Sequence, residues 1–406
     1  MSFKNFIKEA KIIQAIEDLG FTDPTPIQEK AIPEIQKGHD LRAAAQTGTG
    51  KTAAFILPAL TRLVESPSKG TGPRILILLP TRELAMQVEA ETAKLCRHLP
   101  HIVTACVYGG VPYYVQNKKL SKKYDILIAT PGRLIDFLKQ KKIQLSRVEM
   151  MVLDEADRML DMGFIEPVEY IASLTPQSRQ TVMFSATYGR KVIMLAEKLL
   201  RDPVAIKIAP EVREQSQIEQ HLHHTDNLDH KYRLLEHLLA DTMINQAIIF
   251  SSTKAQTEQI SNKLRQSGLD AAALHGDMNQ RQRTRTMQLM RDKKVRFLVA
   301  TDVAARGIDV QTISHVINFD LPHSLDDYIH RIGRTGRAGS KGIAISFTSY
   351  KDHQLRKQIE RFAGLQTTPA AVAGQPADRE NRKFRPRSGP RTGFQRGPRK
   401  RTSFIR

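Results

Sequence analysis

Cysteine is scarce in this chain. The 406 residues include two, Cys96 and Cys106, which form no C-x-x-C pair. That excludes a disulfide framework and a cysteine-based zinc site, and the apolar neighbours of both thiols predict small core residues instead. Long apolar runs are missing too. No stretch reaches the roughly 20 residues that cross a bilayer, and the N-terminal "MSFKNFIKEAK" lacks the apolar segment of a secretory leader. The expectation is a soluble, cytoplasmic protein with no membrane attachment. Acid is the third deficit: 42 Asp and Glu against 62 Lys and Arg give a formal net charge of +20 and a pI near 9.9. Such a balance points to a polyanionic partner, most often nucleic acid.

The charge excess is uneven. Residues 379–406 hold 11 Lys and Arg and one acid, Glu380, so this tail carries +10, as much as the other 378 residues together. Upstream, short β-rich apolar runs alternate with helical patterns: "RILILLP" (74–80), "DILIAT" (125–130), "MMVLD" (150–154), "TVMFSAT" (181–187), "AIIFSS" (247–252), "RFLVATD" (296–302) and "HVINFD" (315–320). Near-continuous apolar strands imply burial on both faces, the pattern of parallel α/β domains. The polar stretch 207–220 reads as a linker. It separates a first α/β domain (30–206, preceded by an N-terminal region 1–29) from a second (221–365). Residues 366–406 turn to Ala, Pro and Gly and then to Arg, Gly and Pro, and read as disordered.

The strongest motif is "AQTGTGKT", Ala45–Gln46–Thr47–Gly48–Thr49–Gly50–Lys51–Thr52. Glycines let a backbone wrap phosphates with its amides inward; Lys51 would reach the terminal phosphates and Thr52 would hold Mg²⁺. Ala45 stands where the general pattern has its first glycine. About 100 residues on, "MVLDEADRML" (151–160) places carboxylates at the end of an apolar run. A magnesium nucleotide needs such a carboxylate on a neighbouring strand, Asp154, and Glu155 beside it can activate the attacking water.

With these motifs the chain resembles the DEAD-box RNA helicases of helicase superfamily two, over roughly residues 3–350. "FTDPTPIQ" (21–28), with Phe3 upstream, matches the adenine-reading motif, and "AQTGTGKT" is the family's own phosphate loop. "PTREL" (80–84), Gly109–Gly110 and "TPGR" (130–133) match the first-domain RNA motifs. "DEAD" (154–157), "SAT" (185–187), "IIFSST" (248–253), "QRQR" (280–283), "ATDVAARGID" (300–309) and "HRIGRTGR" (330–337) follow in order. The resemblance implies two RecA-like parallel-sheet domains with ATP and Mg²⁺ between them and RNA across both. The compact motif core looks bacterial, and a monomer is expected.

It also implies roles. Phe21 stacks on adenine and Gln28 pairs with its edge, since an amide donates and accepts at once. Residues 45–52 cradle the phosphates, Asp309 binds the ribose, Asp154 holds Mg²⁺ and Glu155 is the general base. Arg334 and Arg337 are arginine fingers, because a guanidinium forks onto phosphate oxygens. Asp157, Ser185, Thr187 and His330 couple hydrolysis to domain motion; for Ser185 and Thr187 ordinary strand-end hydrogen bonding is the alternative. RNA is met by Pro80, Thr81, Arg82, Gly110, Thr130, Pro131, Gly132, Arg133, Arg283 and Thr301, chiefly through its backbone. The implied activity is RNA-stimulated ATP hydrolysis with local duplex opening; an ATP-gated RNA clamp and a DNA translocase are the alternatives.

Three weaker signals remain. His221 and His223 share one face of an expected strand, with no third metal ligand evident. Met159 and Met162 read as core. Phe384, Phe394 and Phe404 recur every ten residues among arginines, a composition suited to tethering single-stranded RNA or simply to solubilising the chain.

Overall fold

The computed structural model describes residues 2–45, 48–67, 70–187, 189–208, 218–241, 244–305, 310, 312–336, 341–364 and 368–369. Expectations for Gln46, Thr47, Asp309, Arg337, most of the linker and the basic tail with Phe384, Phe394 and Phe404 therefore lie outside the described residues.

Two parallel sheets carry the fold. The first contains β1 (Leu41–Ala44), β2 (Ile75–Leu78), β3 (Thr104–Val107), β4 (Ile126–Ala129), β5 (Met150–Leu153), β6 (Gln180–Ser185) and β7 (Val204–Lys207), in the order β3-β4-β2-β5-β6-β1-β7. The second contains β8 (Ile218–His224), β9 (Ala247–Phe250), β10 (Ala271–Leu274), β11 (Phe297–Ala300), β12 (His315–Asn318), β13 (Gly342–Thr348) and β14 (Thr368–Pro369), in the order β10-β11-β9-β12-β13-β8-β14. Counted from each sheet's first strand, the two orders are identical, so one architecture is used twice.

The apolar strands are buried on both faces, as their composition predicts. Along β2, Ile75 and Ile77 enter one core cluster while Leu76 and Leu78 enter the other. Along β4, Ile126 and Ile128 divide from Leu127 and Ala129 in the same way, which is the two-residue period of a strand between two helical layers. Met159 is core, and Met162 is half-buried. Cys106 is buried and Cys96 partly so; burial pushes both thiols up, Cys96 to about 12, which makes them packing residues rather than nucleophiles.

Three boundaries need correction. Lys207 ends β7, and Ile218–Gln220 begin β8, so both ends of the expected linker are strand. Ile218 packs against the Leu222–Tyr328–Ile332 cluster, a contact that its polar surroundings in the sequence conceal. Thr368–Pro369, expected in the tail, pair with His223–His224 as a short edge strand.

Candidate functional site

The loops leaving the carboxyl ends of β1, β5 and β6 converge, and in parallel sheets this is where ligands bind. After β1, buried Ala45 donates its N–H to Ser185 O at 3.0 Å, tying the phosphate loop to the end of β6. Gly50, at φ +88°, is the N-cap of the helix Lys51–Glu65, so that helix's unpaired amides open into the loop. A Cβ on Gly50 would lie 2.4 Å from Gln28 Nε2.

Gln28 arrives there through its own helix. Thr25 caps the helix Pro26–Gln36, with Pro26 at its first position, and Gln28 completes the capping box. Its Oε1 accepts from Thr25 N at 2.9 Å, and its Nε2 donates to Gly50 O at 3.0 Å. Thr25 Oγ1 adds a bond to Thr49 O at 2.8 Å. The amide thus gives one N–H to the phosphate loop and one lone pair to the N-cap of its own helix, and keeps the other N–H and lone pair for a ligand. Phe21 is 42% exposed.

Lys51 Nζ is buried 3.5 Å from Asp154 Oδ1 and has no hydrogen-bond partner among the described residues. A buried ammonium in that state is costly, and phosphate oxygens are the groups that would satisfy it. Burial pushes the Asp154 carboxyl up, and Lys51 pulls it back. Asp154 Oδ1 also accepts from Glu155 N at 2.9 Å. Glu155 has left-handed backbone, φ +54° and ψ +50°, which turns its side chain out of the strand line. Burial alone would raise its carboxyl, but Arg158, Lys51 and Arg334 outweigh that and hold it at about 2. Arg158 Nε lies 3.1 Å from Glu155 Oε2.

Asp157 is the hub of the next layer. Its Oδ2 accepts from Ala186 N at 3.1 Å, Thr187 N at 3.0 Å and Thr187 Oγ1 at 3.3 Å, and it faces His330 Nε2 at 3.9 Å. Ser185 Oγ donates to Thr187 O at 2.6 Å. The four residues expected to couple the lobes therefore form one chain of contacts from the first sheet to the second. His330 is pushed down to about 4, by burial first and by Arg158 second, with Asp157 opposing. Arg334 is buried and donates Nε to His330 O at 3.3 Å.

Arg331, between those two, was not anticipated from sequence. It is 3% exposed and forks onto Asp302 at 2.6 and 2.7 Å, while Nη1 reaches Asp320 O at 2.6 Å and Asn318 Oδ1 at 3.1 Å. These bonds fix the helix Leu325–Ile332, which presents His330. Arg158, which follows "DEAD", was likewise given no role by the sequence, because its burial and its Glu155 partner exist only in the folded chain.

The residues expected at RNA lie mostly at helix N-termini. Thr81 caps the helix Arg82–Leu95, its hydroxyl accepting from Leu84 N at 3.3 Å. Thr130 is the N-cap of the helix Pro131–Lys139. Pro80 and Pro131 are buried, whereas Gly132 is exposed with open space where a Cβ would stand. Thr301 is partly exposed after β11. Gly110, at φ +81°, lies under Arg82, whose Nη1 would be 2.1 Å from an added Cβ. Arg82 Nη1 also donates to Gln280 Oε1 of the second lobe at 3.4 Å. Arg133 donates to Val111 O at 2.8 Å and stacks 4.1 Å over the Tyr113 ring.

Arg283 departs from expectation. Its buried guanidinium bonds Glu83 through Nε at 2.8 Å, and Nη1 and Nη2 reach His275 O at 3.4 Å and Ala304 O at 3.3 Å. In this arrangement it ties one lobe to the other rather than facing a phosphate. Glu83, inside "PTREL", was given no role by the sequence. Among the described residues no cluster of three His, Cys, Asp or Glu could hold a metal, and no helix is long and apolar enough to cross a membrane.

Residues 25–195 match the family model for the DEAD/DEAH box helicase, and residues 230–339 match that for the helicase conserved C-terminal domain. The ATP-dependent RNA helicase SrmB of Escherichia coli is 45% identical over 89% of this chain and 82% of its own length. The ATP-dependent RNA helicase RhlB of Pseudomonas syringae is 42% identical over 90% of this chain and 95% of its own. Dbp5 of S. cerevisiae bound to RNA and ADP-BeF3 superposes with a TM-score of 0.80 at 31% identity, covering 91% of this chain and 95% of the other. Mss116p bound to single-stranded RNA and AMP-PNP gives 0.81 at 29% identity, covering 91% and 79%.

Proposed function

Because this chain belongs to the DEAD-box family of ATP-dependent RNA helicases, we propose that it binds ATP between its two lobes and RNA across both. It then opens short duplexes locally and hydrolyses ATP to ADP and phosphate to release the strand. The observation that carries this reading is the meeting of halves: Asp157 and Glu155 on the first lobe, the latter beside Lys51 and Asp154, face His330 and Arg334 on the second. Neither lobe holds the full set, so hydrolysis requires closure.

The residues divide the work by their chemistry. Phe21 stacks on the base, and the remaining amide valences of Gln28 read its edge. Residues 45–52 wrap the phosphates, and the unsatisfied Lys51 ammonium neutralises them. The buried Asp154 carboxyl and the Thr52 hydroxyl fit a magnesium ion, a hard cation that takes one or two carboxylates with phosphate oxygens and water. When bound, magnesium neutralises charge building on the phosphates. Glu155 orients the attacking water and takes its proton. Arg334, with Arg337, stabilises the charge of the transferring phosphoryl group, an effect worth ~10³–10⁵ in related reactions. Asp309 binds the ribose. Asp157, Ser185, Thr187 and His330 report the state of this site to the lobe contact.

RNA backbone lies along Thr81–Arg82, Gly110, Thr130–Arg133 and Thr301, where helix N-termini and arginines suit phosphates. ATP and RNA both favour the closed arrangement, and so each strengthens binding of the other. A cytoplasmic location belongs to the same reading. The test is ATP hydrolysis with RNA or DNA of equal sequence, alongside opening of a short RNA duplex. Stimulation by RNA with duplex opening is expected. Stimulation without opening would make the protein a clamp, and equal stimulation by DNA would make it a translocase.

A further inference from the structure

The helix Tyr113–Leu120 follows the Gly109–Gly110 turn and carries a surface that the reading above leaves unused. Tyr114 is 74% exposed and Val115 40%. Lys118, one turn along the helix from Tyr114, is exposed, and so is Lys122 just beyond the helix end. Neither forms an ion pair among the described residues, whereas Lys119 is taken by Glu89 at 2.9 Å. An exposed tyrosine with two uncommitted ammonium groups is the composition of a stacking platform for single-stranded nucleic acid.

The platform is rigid and joined to the RNA-facing residues. Gln116 is 3% exposed; its Oε1 accepts from Tyr108 N at 3.0 Å, and its Nε2 donates to Tyr108 O at 3.0 Å and Val111 O at 3.4 Å. The same Val111 carbonyl accepts from Arg133. Tyr113 next to the platform is locked as well, with its hydroxyl on Asp136 at 2.8 Å, its ring edge-on to Phe137 and Arg133 over its face. Arg133 Nε, 3.8 Å from Asp136 Oδ2, also offsets the charge of this nearby acid. Arg82, Gly110, Val111, Arg133 and the start of this helix are thus one connected unit.

We infer that Tyr114, with Lys118 and Lys122, forms an accessory subsite for single-stranded RNA, continuous with the first lobe's RNA-facing surface, in which a base stacks on Tyr114 and the two lysines meet flanking phosphates. The inference rests on the RNA-binding reading above. It gives the enzyme a hold on unpaired nucleotides flanking the tract that the lobes grip, and a preference for substrates with single-stranded extensions.

The test is the affinity of the full chain, with a non-hydrolysable ATP analogue, for a fluorescent single-stranded RNA across a salt series. Tyr114→Ala should weaken binding by about 5-fold or more, as loss of one stacked base does, and Tyr114→Phe should restore it. The paired change Lys118→Ala/Lys122→Ala should make the log–log salt slope shallower by about 1.4, since each single-strand phosphate contact contributes about 0.7. If the wild type binds RNA and Tyr114→Ala binds equally at every salt concentration, the subsite is refuted and the surface is left for a protein partner. If the wild type itself fails to bind RNA, the underlying functional reading falls with it.

Discussion

Arg283 Nε lies 2.8 Å from Glu83 Oε1, an ion pair that joins residues 200 apart in sequence, on helices of two different lobes. With side-chain exposures of 11% and 15%, it is shielded from most screening. Glu83→Ala would strand the Arg283 guanidinium between two carbonyls. The closed arrangement should weaken by about 1.5–3 kcal/mol, the range for hydrogen bonds to charged groups. Fluorescence transfer between labelled lobes, with RNA and an ATP analogue, would report the loss. The reciprocal pair Glu83→Arg/Arg283→Glu should recover part of it. Unchanged closure in Glu83→Ala would deny the ion pair any part in holding the lobes.

Gly50→Ala addresses the phosphate loop. The new methyl would meet Gln28 Nε2 at 2.4 Å and Thr25 Oγ1 at 3.0 Å, on a backbone at φ +88°. The strained conformation alone costs about 1–2 kcal/mol, and displacing Gln28 removes its bond to the loop. Nucleotide affinity, followed with a fluorescent ATP analogue, should fall at least about tenfold. Gly189→Ala, at φ −64° with no atom near the added methyl, should leave it unchanged.

Glu155→Gln keeps the side chain's shape and removes its basicity. ATP binding should persist while turnover drops ~10²–10⁴-fold, the usual cost of losing a general base. Closed RNA complexes should then accumulate with ATP. Arg158, Lys51 and Arg334 hold the Glu155 carboxyl at about 2 despite its burial, which keeps it ionised at neutral pH in the ligand-free protein. Wild-type turnover in Glu155→Gln would remove the residue from catalysis.

His330 supplies a pH reading of the lobe contact. Its folded-state pKa, about 4, lies below the ordinary value of 6.5 because burial and Arg158 disfavour the cation. The stability it contributes is therefore present above about pH 6.5 and lost as pH falls through about 4. A histidine NMR titration with RNA and ATP analogue bound should find its ring neutral well below pH 6. A midpoint near 6.5 would mean that the ring is in water and the lobes are apart.

Much of this was legible in the residues themselves. Runs such as "ILIL" and "MMVL" are apolar at every position, short and closed by polar or turn residues, which fits a strand covered on both faces. The phosphate loop and "DEAD" announce nucleotide chemistry because closely spaced glycines, a lysine and paired carboxylates have few other reasons to recur in that order. Other strands were silent: "LRAA" in β1 and "AAAL" in β10 carry too little apolar area to signal themselves, and they form because neighbours on the sheet supply the pairing. The division of labour among charges belonged to tertiary structure alone. Arg283, Arg133 and Arg82 look alike in sequence as candidates for phosphate, yet Arg283 is turned onto Glu83, Arg133 is stacked on Tyr113, and Arg82 lies across Gly110 towards Gln280. A guanidinium's partner is set by which carboxylate, carbonyl or ring the folded chain brings within about 3 Å, and for Arg283 that neighbour comes from the other lobe.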